Sequence, residues 1–192
     1  MIYITGDCHG DFSRFLMDKF PIQAEMAKED FVIICGDLGG VWSFESENNR
    51  EKYWLDWLNQ KNFTTLFVDG NHENFTRLNN YPIKDWNSGK VHQIRSSVFH
   101  LMRGEIFNIN NKKFFTFGGA SSHDIRDGIL NLDEEEKIYN LRKMGASFRI
   151  RNFSWWDLEL PTNEEIKNGI YNLEKVKYKV DYIISHCCPT SI

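Results

Sequence analysis

The stretch FVIICGD, residues 31–37, indicates the fold class, because an unbroken apolar run ends abruptly in a glycine and a carboxylate. Such a run is typical of a β-strand that is buried on both faces of an α/β protein. The same unit recurs outward along the chain, as residues 2–5 before GDCHG, 65–68 before DGNHEN and 182–184 before SHCCP. We therefore expect several buried strands that each end in a small polar loop.

Helical patterns lie between these strands. Apolar side chains fall on one helical face in residues 12–20, 53–58 and 166–176. Thr162 and Glu165 form a capping-box pattern that opens the third helix. Strands that alternate with helices predict a layered α/β domain.

The middle of the chain has a different pattern. Residues 98–102, 106–109 and 113–117 are strand-like, and Asn110-Asn111 indicates a hairpin between the last two runs. This predicts either one mixed sheet or two sheets. Residues 120–160 are polar and are expected to form an insertion over the face of a single domain that spans residues 1–192.

Composition narrows the class of protein. The 192 residues carry a net charge of -4, which does not favour a nucleic-acid partner, although a local basic groove is compatible with it. No apolar run is long enough to cross a bilayer, and the N-terminus lacks the features of a signal peptide, so we expect a cytoplasmic protein without a membrane partner. The four cysteines include no C-x-x-C pair and are expected to be small core residues.

Side chains that can bind metal follow the predicted strands. In open α/β sheets the carboxyl ends of the strands form the binding edge, so these side chains are expected to meet. Carboxylate, amide and imidazole ligands suit Mn, Fe or Zn. Each residue alone could belong to an ordinary polar turn, and the metal site rests on their joint occurrence. The candidates are Asp7, His9, Asp37, Asn71 and His186.

The four motifs Gly6-Asp7-Cys8-His9-Gly10, Gly36-Asp37, Gly70-Asn71-His72-Glu73 and Ser185-His186-Cys187-Cys188-Pro189 resemble the calcineurin-like metallophosphoesterase superfamily, in a small bacterial or phage-type form. The resemblance implies a four-layer α/β/β/α sandwich with two mixed β-sheets. It also implies hydrolysis of a phosphomonoester or phosphodiester by a water that two divalent metal ions activate.

The resemblance assigns a role to each candidate residue. Asp7 and His9 would bind the first metal, Asp37 would bridge both metals, and Asn71 with His186 would bind the second. His72 would be the catalytic acid for the leaving group, and Asn71 and His72 would contact the substrate. The partner would be a small phosphorylated substrate or nucleotide. The sequence leaves the substrate, the native metals and the oligomeric state open.

Two departures from the family pattern affect these expectations. Gly40 and Val41 stand where most members have an Asp that orients the catalytic His, followed often by Arg. The final G-H-x-H block of the family is absent, so we expect a C-terminally truncated chain that binds metal weakly. The alternatives are a nuclease, or a catalytically impaired metal-binding or protein-interaction module of the same fold.

Overall fold

A computed structural model describes residues 1–188, in which eleven strands and four α-helices are assigned. Pro189, the last residue of the fourth motif, lies outside the described residues. The strands are β1 Ile2–Thr5, β2 Phe31–Cys35, β3 Thr64–Val68, β4 Ile83–Trp86, β5 Gly89–Arg95, β6 Val98–Leu101, β7 Glu105–Ile109, β8 Lys112–Phe117, β9 Ile129–Leu130, β10 Arg149–Ile150 and β11 Tyr182–Ser185. The helices are α1 Asn49–Asn59, α2 Phe75–Leu78, α3 Glu135–Lys143 and α4 Asn163–Lys175.

Two mixed sheets form the body of the fold. The larger has the order β1-β2-β3-β6-β5-β4, with β1, β2, β3 and β6 parallel and the β4–β5 and β5–β6 pairs antiparallel. The smaller has the order β11-β8-β7, in which β11 runs parallel to β8 and β7 runs antiparallel to it. The prediction of two mixed sheets is confirmed.

Alternate side chains of the central strands bury opposite faces of the larger sheet. Ile33 and Leu66 pack with Phe107 and Phe114 of the smaller sheet, in a core between the two sheets. Side chains of β2 and β3 on the other face pack beneath α1. Each fully buried Leu, Ile or Phe stabilises the fold by ~1.5–3 kcal/mol relative to exposure.

Helix α4 covers the outer face of the smaller sheet and completes the four-layer α/β/β/α sandwich. Gly169 of α4 faces Phe115 and Phe117, so the helix backbone approaches these two rings closely. The helix begins with the predicted capping box, in which Thr162 and Glu165 satisfy each other's backbone N–H groups. The predicted fold class is therefore confirmed.

Turn residues explain the hairpins. Asn110 and Asn111 adopt φ values of 51° and 61°, the left-handed pair that a tight hairpin needs, and they join β7 to β8 as predicted. Asn87 and Ser88, with φ values of 47° and 76°, join β4 to β5 in the same way. The sequence reading missed this second hairpin, because β4 is short and mostly exposed.

Residues 120–160 form a small unit beside the sheets. Strands β9 and β10 pair in parallel, and Leu130, Ile138 and Ile150 form a separate apolar cluster with α3. Trp156 joins this segment to the main core, where it is 2% exposed. That the segment is an insertion into a single domain stays a prediction.

Some local expectations were wrong. Residues 12–20 do not form an α-helix: short 3₁₀ turns occupy Ser13–Phe15 and Pro21–Glu25, and the Gln23 amide donates to the carbonyls of Phe15 and Phe20 between them. Strand β11 is not buried on both faces, because it lies at a sheet edge and leaves Ile183 66% exposed.

The cysteine expectation also failed in part, because Cys187 and Cys188 are exposed whereas Cys8 is buried. Across residues 1–188, the helices are all too short or too polar to cross a bilayer.

Candidate metal centre

The candidate ligands reach one edge of the larger sheet through strand geometry. Strands β1, β2 and β3 are parallel neighbours, so the loops that carry His9, Asp37 and Asn71 leave the sheet on the same side. His186 follows β11 and reaches the same edge from the smaller sheet. Both sheets therefore contribute to one site.

Backbone hydrogen bonds join the first two loops. The N–H groups of Cys8 and His9 donate to the Asp37 carbonyl at 3.1 and 2.7 Å, and Gly10 N–H donates to the Leu38 carbonyl at 3.0 Å. His9 and Asp37 have φ values of 48° and 44°, in the left-handed region that costs a non-glycine residue ~1 kcal/mol or more. Strain of this kind persists where the surrounding structure fixes it, and it clusters at functional sites.

Asp37 is the centre of the arrangement. Its Oδ2 atom lies 3.5 Å from His9 Nε2 and 3.4 Å from His186 Nε2, and its Oδ1 accepts the His72 backbone N–H at 2.8 Å. The residue is 2% exposed. Burial alone would raise the pKa of Asp37, but the hydrogen bonds from His186 and from the His72 backbone, with the charges of both rings, lower it. The carboxylate is thus held ionised.

The orientation of His186 suits a ligand. Its Nδ1–H donates to the Cys35 carbonyl at 2.8 Å, which leaves Nε2 turned toward Asp37. The hydrogen bond with Asp37 raises the pKa of His186 to about 8. A cation at this position would therefore displace a proton from the ring at neutral pH.

The donor atoms fit a divalent cation. Two ligand atoms bonded at ~2.1 Å to one tetrahedral ion are ~3.4 Å apart. The separations of Asp37 Oδ2 from His9 Nε2 and His186 Nε2, at 3.5 and 3.4 Å, match this spacing. Asp7 Oδ2 lies 2.8 Å from His9 Nε2 on the open side of the site.

Asn71 and His72 complete the predicted set. Asn71 is 8% exposed, and its Nδ2 donates to Ser122 Oγ at 3.3 Å. His72 offers a ring nitrogen to the group that it forms with His9 and Asp37, in which the ligand atoms all lie within 4.8 Å of one another. The structure thus brings the predicted residues to one region, and their individual roles stay predictions.

The His72 ring is held by aromatic neighbours. It stacks on Trp42 with the centroids 5.6 Å apart and the planes at 26°, and it meets His9 edge-on at 5.0 Å. Burial lowers the pKa of His72, while the charge of Asp37 acts in the opposite direction. In the absence of a carboxylate at position 40, the contacts with Trp42 and His9 hold this ring.

A cleft of about 420 Å³ opens beside His9 and His72. Its walls include Trp42, Trp54, Arg50 and Arg149. Arg149 comes from β10 and forms an ion pair with Asp124, whereas Arg50 makes no ion pair with any residue that the structure describes. Planar and cationic groups therefore lie next to the candidate metal centre.

Glu51 anchors the Trp42 loop to this cleft. Its carboxylate accepts the backbone N–H groups of Trp42 and Ser43 at 2.6 and 2.5 Å and pairs with Arg77 at 2.8 Å. The carboxylate of Glu51 is thus paired with Arg77 within the protein. The sequence reading missed Glu51 and Arg149. Asn48 and Glu51 form a capping box at the start of α1, a pattern that is visible in the sequence, whereas no local motif marks Arg149.

Several known proteins are similar to this chain in sequence. The family model described as calcineurin-like phosphoesterase matches residues 1–186. The lariat debranching enzyme of Schizosaccharomyces pombe is 23% identical over 201 residues, which cover 98% of this chain and 37% of that protein. The lariat debranching enzyme of Homo sapiens is 21% identical over 210 residues, covering 100% of this chain and 33% of that protein.

The lariat debranching enzyme of Gallus gallus is 20% identical over 205 residues, again covering 100% of this chain and 33% of that protein. The chain therefore spans about a third of the length of the curated relatives that it matches. No solved structure matches the chain.

Proposed function

Because the chain belongs to the calcineurin-like phosphoesterase family, we propose that it hydrolyses a phosphoester with two divalent cations held between its strand-end loops. The observation that carries this proposal is the position of Asp37 Oδ2, which lies within 3.5 Å of one imidazole from each sheet. Asp7 and His9 would hold one cation, Asn71 and His186 the other, and Asp37 would be shared. Oxygen and nitrogen donors of this kind suit Mn, Fe or Zn.

The cations and His72 would have separate roles in the proposed reaction. When bound, the cations would neutralise charge on the phosphoryl oxygens and lower the pKa of the attacking water. His72 would hold a proton on its ring and deliver it to the departing oxygen. The His72 backbone N–H bonds to Asp37, and the His72 ring stacks on Trp42, so the proton donor is fixed relative to the shared ligand.

The test uses two aryl phosphates, a monoester and a diester, with purified protein. We expect hydrolysis in Mn²⁺, loss of hydrolysis after chelation and recovery when Mn²⁺ is returned. Asp7→Ala should lower both the rate and the bound metal, whereas Asp18→Ala, which changes another exposed carboxylate, should not. Full activity of metal-free protein would refute the proposal.

A second candidate function is cleavage of a phosphodiester in a lariat RNA. It is supported by the names of the relatives and by the cleft, where Trp42 and Trp54 offer surfaces for bases and Arg149 offers a contact for a phosphate. The net charge of -4 argues against broad binding of nucleic acid. A short branched RNA and its linear counterpart, compared under the same conditions, separate the two functions.

If the second function holds, the branched RNA should be cleaved with a higher kcat/KM than the aryl diester, and Arg149→Ala should raise KM for the RNA more than for the aryl diester. Equal effects of Arg149→Ala on both substrates would favour the general phosphoesterase. The cytoplasmic location and the preference for manganese stay predictions.

A further inference from the structure

Asn71 belongs to a buried chain of hydrogen bonds that leads away from the metal centre. Its Nδ2 donates to Ser122 Oγ at 3.3 Å, and Ser122 Oγ in turn donates to Glu159 Oε2 at 2.6 Å. The Ser122 backbone N–H donates to the second carboxylate oxygen, Glu159 Oε1, at 2.8 Å. The exposed fractions of Asn71, Ser122 and Glu159 are 8%, 6% and 2%.

The chemistry of these groups gives this series of hydrogen bonds a direction. A carboxylate only accepts hydrogen bonds, so the single hydroxyl proton of Ser122 must point to Glu159. The Ser122 oxygen can then only accept from Asn71, and it therefore selects the NH₂ side of the amide. The Oδ1 atom of Asn71 is consequently turned away from Ser122 and is free of this series of hydrogen bonds.

Ser122 and Glu159 lie at the two ends of residues 120–160. Glu159 is held in place from its backbone, because its carbonyl and that of Leu158 accept from Arg103 at 3.2 and 2.9 Å. Arg103 also donates through Nε to Asp69, two residues before Asn71, at 2.8 Å. The two ends of residues 120–160 are therefore joined to each other beside the loop that carries Asn71.

We propose that Ser122 and Glu159 are positioning residues for the metal centre: the Glu159 carboxylate fixes the Ser122 hydroxyl, which fixes the Asn71 amide with its oxygen toward the cation. The inference rests on the proposed function, since it takes Asn71 as a ligand. Through this pair the order of residues 120–160 is coupled to cation binding. Neighbours of metal ligands that act in this way typically contribute 10- to 100-fold to metal affinity.

The alternative role of the pair is to hold the segment in place without affecting the ligand. Glu159→Gln separates the two roles, because a glutamine keeps the shape and can still accept from the Ser122 backbone N–H. Its NH₂ group can donate to Ser122 Oγ, which frees the hydroxyl proton to bond to Asn71 Oδ1 instead. The variant thus keeps the number of hydrogen bonds while it allows the Asn71 amide to turn over.

The experiment is calorimetric titration of Mn²⁺ into metal-free protein, with thermal unfolding of each metal-free variant recorded beside it. The variants are Glu159→Gln, Ser122→Ala and Asn71→Ala. Ser154→Ala is the matched control, because its hydroxyl accepts a backbone N–H within the same segment but does not contact Asn71. A further readout without metal is the exchange of the Asn71 side-chain NH₂ protons, which should be slow in the original protein and faster in Ser122→Ala.

We expect Glu159→Gln to unfold within a few degrees of the original protein and to bind one of two Mn²⁺ ions about 10- to 100-fold more weakly. Asn71→Ala should weaken the same binding event, and Ser154→Ala should leave both events unchanged. Unaltered binding by Glu159→Gln and Ser122→Ala, with weakened binding by Asn71→Ala, would overturn the positioning role alone. Unaltered binding by Asn71→Ala would overturn the assignment of Asn71 in the proposed function, and the inference with it.

Discussion

Gly70→Ala should damage the metal centre from a position that carries no ligand. Gly70 precedes Asn71, and its backbone lies against the buried carboxylate of Asp37. A Cβ atom added at position 70 would overlap Asp37 Oδ1 and would lie 2.7 Å from Cγ and 2.8 Å from the backbone nitrogen of Asp37. The substitution therefore meets both the side chain and the backbone of Asp37, so a change of rotamer cannot relieve it.

The size of the effect follows from these contacts. Ordinary van der Waals contact begins near 3.4 Å, so the Asp37 carboxyl carbon must recede by about 0.7 Å and its Oδ1 by more. Overpacking of this kind costs ~1–3 kcal/mol. The shift would also break the bond from the His72 N–H to Oδ1, and a buried polar group without a partner costs a further ~1–3 kcal/mol. We expect a total loss of about 2–6 kcal/mol in the free energy of unfolding.

The matched control is Gly6→Ala, beside Asp7 in the neighbouring loop. An added Cβ there has no atom within 4 Å, so the change should be neutral or should stabilise the protein by up to ~1 kcal/mol through the unfolded state. Urea denaturation of the metal-free proteins measures the stability, and Mn²⁺ titration measures the site. If Gly70→Ala matched Gly6→Ala in both measurements, the contact between Gly70 and Asp37 would not be what shapes the site.

Three further changes test other parts of the molecule. Asp37→Asn should keep the fold but lose the pairing of cations, and two tightly bound ions counted by elemental analysis would contradict a shared carboxylate. His72→Ala should lower turnover ~10²–10⁴-fold for an alkyl phosphate and less for an activated aryl phosphate, and equal losses would indicate phosphate binding by His72. Burial, with the charge of His100, lowers the pKa of His92 to about 4 from 6.5. As the pH falls, the His92 ring of the unfolded protein therefore binds a proton before the ring of the folded protein does. The free energy of unfolding should consequently decrease by up to ~3 kcal/mol between pH 6.5 and pH 4. In urea titrations His92→Asn should show a shallower decrease, and curves parallel to those of the original protein would exclude His92 as the source.

The parts of the fold that the sequence predicted share one physical property. Strands β2 and β3 are continuous apolar runs because both of their faces are buried, and this pattern is visible without a structure. Residues 12–20 gave a false helical pattern, because buried aromatic residues such as Phe12 and Phe15 can have helical spacing in an irregular loop. The side chain of Gln23 stabilises this loop by donating to two of its carbonyls. Periodicity reports burial, and it does not report which hydrogen bonds the backbone makes.

The candidate ligands were predictable because each one follows a strand. Strand ends on the same edge of a sheet must meet, so sequence position alone placed Asp7, His9 and Asp37 near each other. Ser122, Glu159 and Arg149 follow no such rule. Ser122 is 51 residues from Asn71 and 37 residues from Glu159 in the sequence. Only the packing of residues 120–160 brings the side chains of Asn71, Ser122 and Glu159 together.

The position of His186 has a consequence for the whole sandwich. Asp37 and its neighbours belong to the larger sheet, whereas His186 follows β11 of the smaller sheet. The hydrogen bond from His186 Nδ1 to the Cys35 carbonyl already joins the two sheets at this edge. A cation held by Asp37 and His186 would add a second link at the same place. Since a ligand that binds only the folded state stabilises it by an amount that grows with the logarithm of its affinity, contacts that orient Asp37 and His186 for a cation would also strengthen the packing of one sheet on the other.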